Sequence, residues 1–125
     1  MNKFLKRILL GLIIWGVPFV AGLFIWDMET NLPKVSASWV SALMALTWAI
    51  GFAIAAFFWF KKVGKDTVAE GWVTGITWFV EMLVLDFIVL VNLFGMSMAE
   101  FYPLVVTYLN EIVISVGIGY ILRKN

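Results

Sequence analysis

The sequence contains neither cysteine nor histidine, and only 14% of its 125 residues are charged. Without cysteine, disulfide bonds, thiolate catalysis and cysteine metal sites are excluded. Without histidine, the chain lacks the usual proton shuttle and the commonest metal ligand. The side chains left to bind a cation or carry a proton are therefore mainly its eight carboxyl groups.

Long polar segments are also lacking, because 63% of the residues are hydrophobic and the mean hydropathy is +1.00. This composition excludes an ordinary soluble domain. A bilayer span needs roughly 20 apolar residues, and four such runs lie at about 8–26, 39–60, 72–94 and 102–122. The sequence therefore predicts an all-α integral membrane protein, a four-helix transmembrane bundle forming a single domain over 1–125. The run at 8–26 is too long for a signal peptide, and no A-x-A site follows it, so we interpret it as an uncleaved first span.

The basic residues are distributed unevenly between the predicted loops. With N-in/C-in topology, only Lys34 lies outside, and every other Lys and Arg lies on the cytoplasmic side: Lys3, Lys6, Arg7, Lys61, Lys62, Lys65, Arg123 and Lys124. This bias matches the positive-inside rule and predicts a multi-pass protein of the cytoplasmic membrane. Aromatic residues at the span ends predict interfacial belts, with Trp26, Trp39 and Tyr102 outside and Trp59, Trp72 and Tyr120 inside.

Turn and packing motifs predict how the helices are connected. A capping box at 97–100 follows Gly95, which suits a helix C-cap, so the third and fourth spans should form a tight helix 3–helix 4 hairpin. If that turn centres on Met96, Glu81 and Glu111 lie at one depth. A further capping box is predicted at 67–70. Small residues four apart in the second span indicate a packing seam and no function: Ser41, Ala45, Ala49 and Ala53.

Three acids fall inside the predicted spans: Glu81, Asp86 and Glu111, here called the span acids. A charge at membrane depth costs roughly 2.5–3.5 kcal/mol on insertion scales, so such residues are commonly functional. No Lys, Arg or His lies near the middle of the membrane to neutralise them. The span acids must therefore be protonated, share a proton or bind a cation from outside.

Polar residues recur at helical spacing around two of these acids. Thr74, Thr77 and Asn92 share a face with Glu81 in the third span, whereas Thr107, Tyr108 and Ser115 accompany Glu111 in the fourth. Such stripes should face the bundle or a cavity. Asp86 lies on a different face from Glu81, towards another helix or a second subunit.

Aromatic residues inside the spans complete the candidate site. Trp15, Trp48, Trp78 and Tyr108 lie too deep for the belts, and their N–H and O–H groups need acceptors, for which the span acids are the evident candidates. Their rings could also offer cation–π faces. The predicted substrate- or ion-binding set is Glu81, Glu111, Asp86, Asn92, Trp78 and Tyr108.

In size, four-span layout and membrane-embedded glutamate, the chain resembles the small multidrug resistance transporters. The essential glutamate of that family belongs to the first helix, whereas 8–26 contains no acid here, so no residue role transfers. The chain is also similar to uncharacterised small four-helix membrane proteins of prokaryotes, a resemblance that implies no activity.

These observations favour a small transporter or permeation protein for protons, metal cations or an organic cation. Glu81 and Glu111 would form its central site, with Asp86 as a relay or a subunit-interface acid. A homo-oligomer, such as a homodimer, in the lipid bilayer is expected, with neither cofactor nor nucleic acid. The alternative is a non-transporting accessory or scaffold protein whose acids are structural hydrogen-bonding groups. An enzyme is not expected, since no set of nucleophile and base is present.

Overall fold

A computed structural model describes residues 2–27, 29–30 and 32–123. Its helices are α1 (Lys3–Ile25), α2 (Ala37–Phe60), α3 (Thr67–Asp86) and α4 (Met98–Leu122), and a π-helical segment, Phe87–Leu93, continues α3. Two short antiparallel strands, β1 (Trp26–Asp27) and β2 (Leu32–Pro33), connect α1 to α2. Within the described residues, four helices are long and apolar enough to cross a membrane. The helical class is therefore confirmed, and the predicted position of Lys124 falls outside the described residues.

Polar residues just outside the apolar runs begin three of the helices. The side chains of Asn2, Ser36 and Ser97 accept hydrogen bonds from backbone N–H groups in the first turns of α1, α2 and α4. Ser97 Oγ lies 3.2 Å from the backbone nitrogen of Glu100, as its motif predicts. These bonds satisfy N–H groups that would otherwise lack partners at a helix start.

Helix α3 begins differently, and the capping box predicted at 67–70 is wrong. Its N-cap is Asp66, which has a φ of 53° and makes no side-chain capping bond. Thr67 already belongs to the helix, and its hydroxyl donates to the carbonyl of Gly119 at 2.8 Å. The threonine therefore joins α3 to α4 rather than capping its own helix.

The end of α3 departs from regular α-helix. Phe94 N bonds to Val89 O at 3.1 Å and Met96 N to Leu90 O at 2.8 Å, spacings wider than in an α-helix. Gly95 has a φ of 74°, the left-handed geometry that suits glycine at a helix C-terminus. Because the π-helical segment changes the angle between successive side chains, Asn92 is exposed and leaves the stripe on which the sequence placed it.

The helices pack as two pairs, α1 with α2 and α3 with α4, joined mainly through α1 and α3. Glycines allow α3 and α4 to approach closely: a Cβ added at Gly75 would lie 2.8 Å from Ile112 Cα and 3.0 Å from Glu111 O. Residue 75, rather than 81, therefore lies beside 111. The predicted register, with Glu81 and Glu111 level, is displaced by six residues, or about 9 Å of helix rise.

Charge and apolar surface follow the predicted membrane pattern. All basic residues among those described except Lys34 lie at one end of the bundle, where α1 and α3 begin and α2 and α4 end, and Lys34 lies beyond the other end of α1. The end where α1 and α3 begin is called the basic end below. Large hydrophobic side chains cover the outside of the helices, with Val106 66% and Val113 67% exposed. Trp59 is an exception to the predicted belt, because it is only 4% exposed and lies in the core.

Candidate functional site

Asp86, the last residue of α3, accepts hydrogen bonds from two other helices. Trp15 Nε1 of α1 donates to its Oδ1 at 2.7 Å, and the Tyr108 hydroxyl of α4 donates to its Oδ2. The expectation that deep indole and phenol groups bond to the span acids is met here. Of the two positions predicted for Asp86, the structure has the one facing other helices of the same chain.

Glu111 lies on α4 and is fully buried. Trp48 Nε1 of α2 donates to its Oε1 at 2.7 Å. Its Oε2 has no hydrogen-bond partner among the described residues, and neither does the hydroxyl of Ser115, one turn further along α4. The Trp48–Glu111 bond links α2 to α4, which otherwise make little contact.

Glu81 on α3 is the span acid without a partner. Both of its carboxyl oxygens are buried, and neither has a hydrogen-bond partner among the described residues. The carboxyl group packs against Gly11 of α1, where an added Cβ would lie 2.7 Å from Glu81 Cδ. Gly11 therefore leaves the space that the carboxyl group occupies.

Trp78 and the threonines bond elsewhere than to the span acids. Trp78 is fully buried, donates to the backbone carbonyl of Arg7 at 2.9 Å, and meets Phe52 edge to face. Thr77 and Thr107 donate to carbonyls of their own helices. Trp78, Thr77 and Thr107 therefore make these hydrogen bonds to backbone carbonyl groups and not to a span acid.

The structure brings some predicted site residues together and separates others. Asp86 and Tyr108 are bonded. Glu81 faces α1, and Asn92 is exposed. Across residues 2–27, 29–30 and 32–123, no three acidic side chains form a group that could hold a metal ion.

Two open cavities occur among the described residues, and neither is lined by a span acid. One is an apolar groove of about 540 Å³ between α2 and α4, with Lys61 at its rim. The other, of about 510 Å³, lies at the basic end. Among the described residues, the span acids therefore lie outside both of these cavities.

An ion pair at the basic end was missed by the sequence reasoning. Arg7 is 6% exposed, pairs with Glu70 through Nη2, and donates from Nε to Thr74 Oγ1 at 3.1 Å. Its guanidinium carbon lies 4.6 Å from the centre of the Trp59 ring, and Lys3 Nζ reaches Glu70 at 3.1 Å. The sequence did contain a signal for this pair: Glu70 and Thr74 lie one turn apart on α3, at the end where basic residues cluster, and could have indicated a site for a basic side chain.

This fold and these buried groups define a multi-pass, four-helix membrane protein. No family model matches the chain, and no curated protein or solved structure matches it either.

Polar groups are spread along the axis of α3 from the basic end inwards. Glu70 and Asp86 are separated by 16 positions, or about 24 Å of helix rise, and Glu81 lies between them. A protonated carboxyl group both donates and accepts a hydrogen bond, whereas an ionised one only accepts. The arrangement can therefore exchange protons between carboxyl and phenol groups if water or a small movement connects them.

Proposed function

We propose that the protein moves protons across the cytoplasmic membrane through the span acids, with the basic end and both termini on the cytoplasmic side. The observation that supports this most directly is Glu81, whose two carboxyl oxygens are buried without a partner. An ionised group in that position would be uncompensated, and such a state is costly. Glu81 is therefore suited to hold a proton and release it when an acceptor reaches it.

Protons fit the geometry better than metal or organic cations. A metal ion needs several ligands around one point, whereas Glu81, Asp86 and Glu111 each face a different neighbour. An organic cation needs a cavity, and neither of the two cavities described above reaches a span acid. A proton requires only a sequence of exchanging groups, such as Asp86 and Tyr108.

A homodimer is part of this proposal. The small residues of α2 that the sequence identified as a seam are exposed along the single chain: Ser41, Ala45, Ala49 and Ala53. Small residues in a row let a second helix approach closely in lipid. A monomeric mass for the protein in lipid nanodiscs would contradict this part of the proposal.

The scaffold alternative has its own support. Trp15, Trp48 and Tyr108 all donate to span acids, so Asp86 and Glu111 join α1 to α3, α2 to α4 and α3 to α4. Interhelical hydrogen bonds in membrane proteins average about 0.6 kcal/mol each. In this alternative the two acids contribute modest stability and transfer no protons.

Proton flux into liposomes tests the proposal. The purified protein is reconstituted with a pH-sensitive dye inside, a pH step is applied, and valinomycin with potassium clamps the potential. We expect wild-type flux above that of empty liposomes and at least a tenfold loss in the Glu81→Gln variant. The matched control is Glu100→Gln, the same change at an exposed position, which should retain the flux.

Absence of flux in the wild type, or equal flux in both variants, would contradict proton transport through Glu81. Asp86→Asn and Glu111→Gln then separate relay from scaffold, because an amide oxygen still accepts from an indole N–H but cannot exchange a proton. A scaffold predicts near-normal stability for both variants and no flux for any protein tested.

A further inference from the structure

The cavity at the basic end is a pocket formed by three parts of the chain. Lys3 and Lys6 come from the start of α1, Trp59 from the end of α2, and Lys62, Lys65 and Asp66 from the connection between α2 and α3. We call these six residues, with their volume of about 510 Å³, the basic pocket. It is distinct from the span acids, none of which lines it.

Positive charge in the basic pocket is poorly balanced. Asp66 is the one carboxylate among its lining residues, against four lysines. Lys3 is paired with Glu70, but within the described ranges Lys6, Lys62 and Lys65 form no ion pair. Lys6 and Lys62 line the same cavity, and like charges close together repel each other. A bound anion would relieve that repulsion.

Trp59 supplies a second, independent observation. It is 4% exposed, and its indole N–H is buried without an acceptor among the described residues. A buried donor without an acceptor is uncommon and destabilising. The Arg7 guanidinium carbon lies 4.6 Å from the centre of the same ring, and Arg7 is itself paired with Glu70.

These groups define the chemistry of the ligand. Ammonium and indole groups donate hydrogen bonds and accept none. An anion with several acceptor oxygens satisfies such donors, and a phosphate group has both the charge and the oxygens. The pocket lies at an end of the bundle, and basic pockets between transmembrane helices bind phospholipid headgroups in other membrane proteins.

We propose that the basic pocket binds a phosphate group, carried either by an anionic phospholipid headgroup or by a soluble phosphate compound. The ligand bridges α1, α2 and the connection to α3, and its oxygens approach Lys6 and Lys62 and accept from Trp59 after a small side-chain adjustment. This proposal stands whether or not the span acids transport protons.

Thermal unfolding of the full chain in detergent, followed by tryptophan fluorescence, measures binding as a ligand-dependent rise in Tm. The probes are phosphatidylglycerol, phosphatidylcholine as the zwitterionic control, and inorganic phosphate with sodium chloride at matched ionic strength. We expect phosphatidylglycerol to raise Tm more than phosphatidylcholine. An effect of phosphatidylglycerol alone identifies a headgroup site, and a comparable effect of inorganic phosphate over chloride identifies a soluble ligand.

Variants show whether the pocket itself is responsible. Lys6→Gln and Lys62→Gln should each weaken binding of the active probe about fivefold, the effect typical of one basic residue at a membrane surface. Trp59→Phe removes the N–H but keeps a ring for Arg7, and it should also weaken binding. Arg123→Gln removes one charge at the same end outside the pocket and should leave affinity unchanged.

Two results would overturn the proposal. One is the same Tm response to phosphatidylglycerol, phosphatidylcholine and phosphate. The other is equal weakening by Arg123→Gln and Lys62→Gln, which would show diffuse surface attraction in place of a site. If a lysine variant does not fold, the Trp59→Phe variant decides alone, and unchanged affinity there also overturns the proposal.

Discussion

At the scale of single residues, the buried polar groups differ in whether the fold provides a partner. Arg7 and Glu70 pair across α1 and α3, and Asp86 and Glu111 accept from indole donors. Glu81 receives space but no hydrogen bond, because the neighbouring residue on α1 is Gly11. A buried carboxyl group without a hydrogen-bond partner lowers the stability of the fold, so a structural role does not account for Glu81. For this reason Glu81 is the central residue of the proposed function.

Gly11→Ala tests the relation between the glycine and the carboxyl group. The new Cβ would lie 2.7 Å from Glu81 Cδ and 2.9 Å from Trp78 Cδ1, so the carboxyl group must move. We expect proton flux to fall in Gly11→Ala while Gly16→Ala, on the same helix with open space around it, keeps it. In the unfolding free energy, Gly11→Ala and Glu81→Ala should be coupled by about 0.5–3 kcal/mol, as for residues in contact. Additive effects in a double-mutant cycle would contradict the contact.

Part of this residue-level picture was predictable from the sequence. Deep tryptophans need acceptors, and span acids need donors, so bonds such as Trp15–Asp86 and Trp48–Glu111 follow from chemistry once both lie inside the membrane. The choice of partner depends on helix rotation and register, which hydropathy does not specify. Trp78 accordingly bonds to the Arg7 carbonyl instead of an acid.

At the scale of elements, hydropathy located the helices and missed their irregular ends. The span predicted at 72–94 corresponds in the structure to α3, which begins at Thr67, and to the π-helical segment, which ends at Leu93. The π-helical segment was not predicted, because an apolar run carries no signal for a change in helical winding. That change, with the close glycine contacts, moved the α3–α4 register away from the one expected for a turn at Met96. The capping motif at Ser97 was predicted correctly, because its hydroxyl bonds to the backbone of its own helix. The motif at Thr67 was not, because its hydroxyl bonds to the Gly119 carbonyl of a neighbouring helix.

Glycine substitutions test the packing of α3 on α4. At Gly75, an alanine Cβ would meet the backbone of α4 at 2.8 Å, which cannot rotate away as a side chain can. We expect Gly75→Ala to lower the free energy of unfolding by about 1–3 kcal/mol, the usual cost of overpacking. The control is Gly117→Ala on α4, where no atom lies within 4 Å and where helix propensity should add up to about 1 kcal/mol. Unfolding in mixed micelles, followed by tryptophan fluorescence, compares the two, and equal stability would place the α3–α4 contact elsewhere.

At the scale of the whole molecule, charge and packing produce an asymmetric bundle. The basic residues of the described chain gather where α1 and α3 begin, with Lys34 beyond the opposite end. Positively charged loops are retained in the cytoplasm during insertion, and a pocket of unpaired lysines suits a phosphate-rich surface. If the basic end faces the cytoplasm, the direction from the Arg7–Glu70 pair to Asp86 runs from the cytoplasmic surface into the membrane.

That direction rests on N-in/C-in topology, which the natural absence of cysteine makes simple to test. Single cysteines are introduced by Val35→Cys, at an exposed position before α2, and by Gly64→Cys, in the connection before α3 where no atom would meet the new side chain. A membrane-impermeant maleimide added to intact cells should label the Val35→Cys variant, because its loop lies outside. The Gly64→Cys variant should react only after permeabilisation, because Lys61, Lys62 and Lys65 hold that loop inside.

The cysteine-free wild type is the background control, and labelling of the Gly64→Cys variant in intact cells would reverse the orientation and place the basic pocket outside. Labelling of both variants in one population would show dual insertion, which the charge bias argues against.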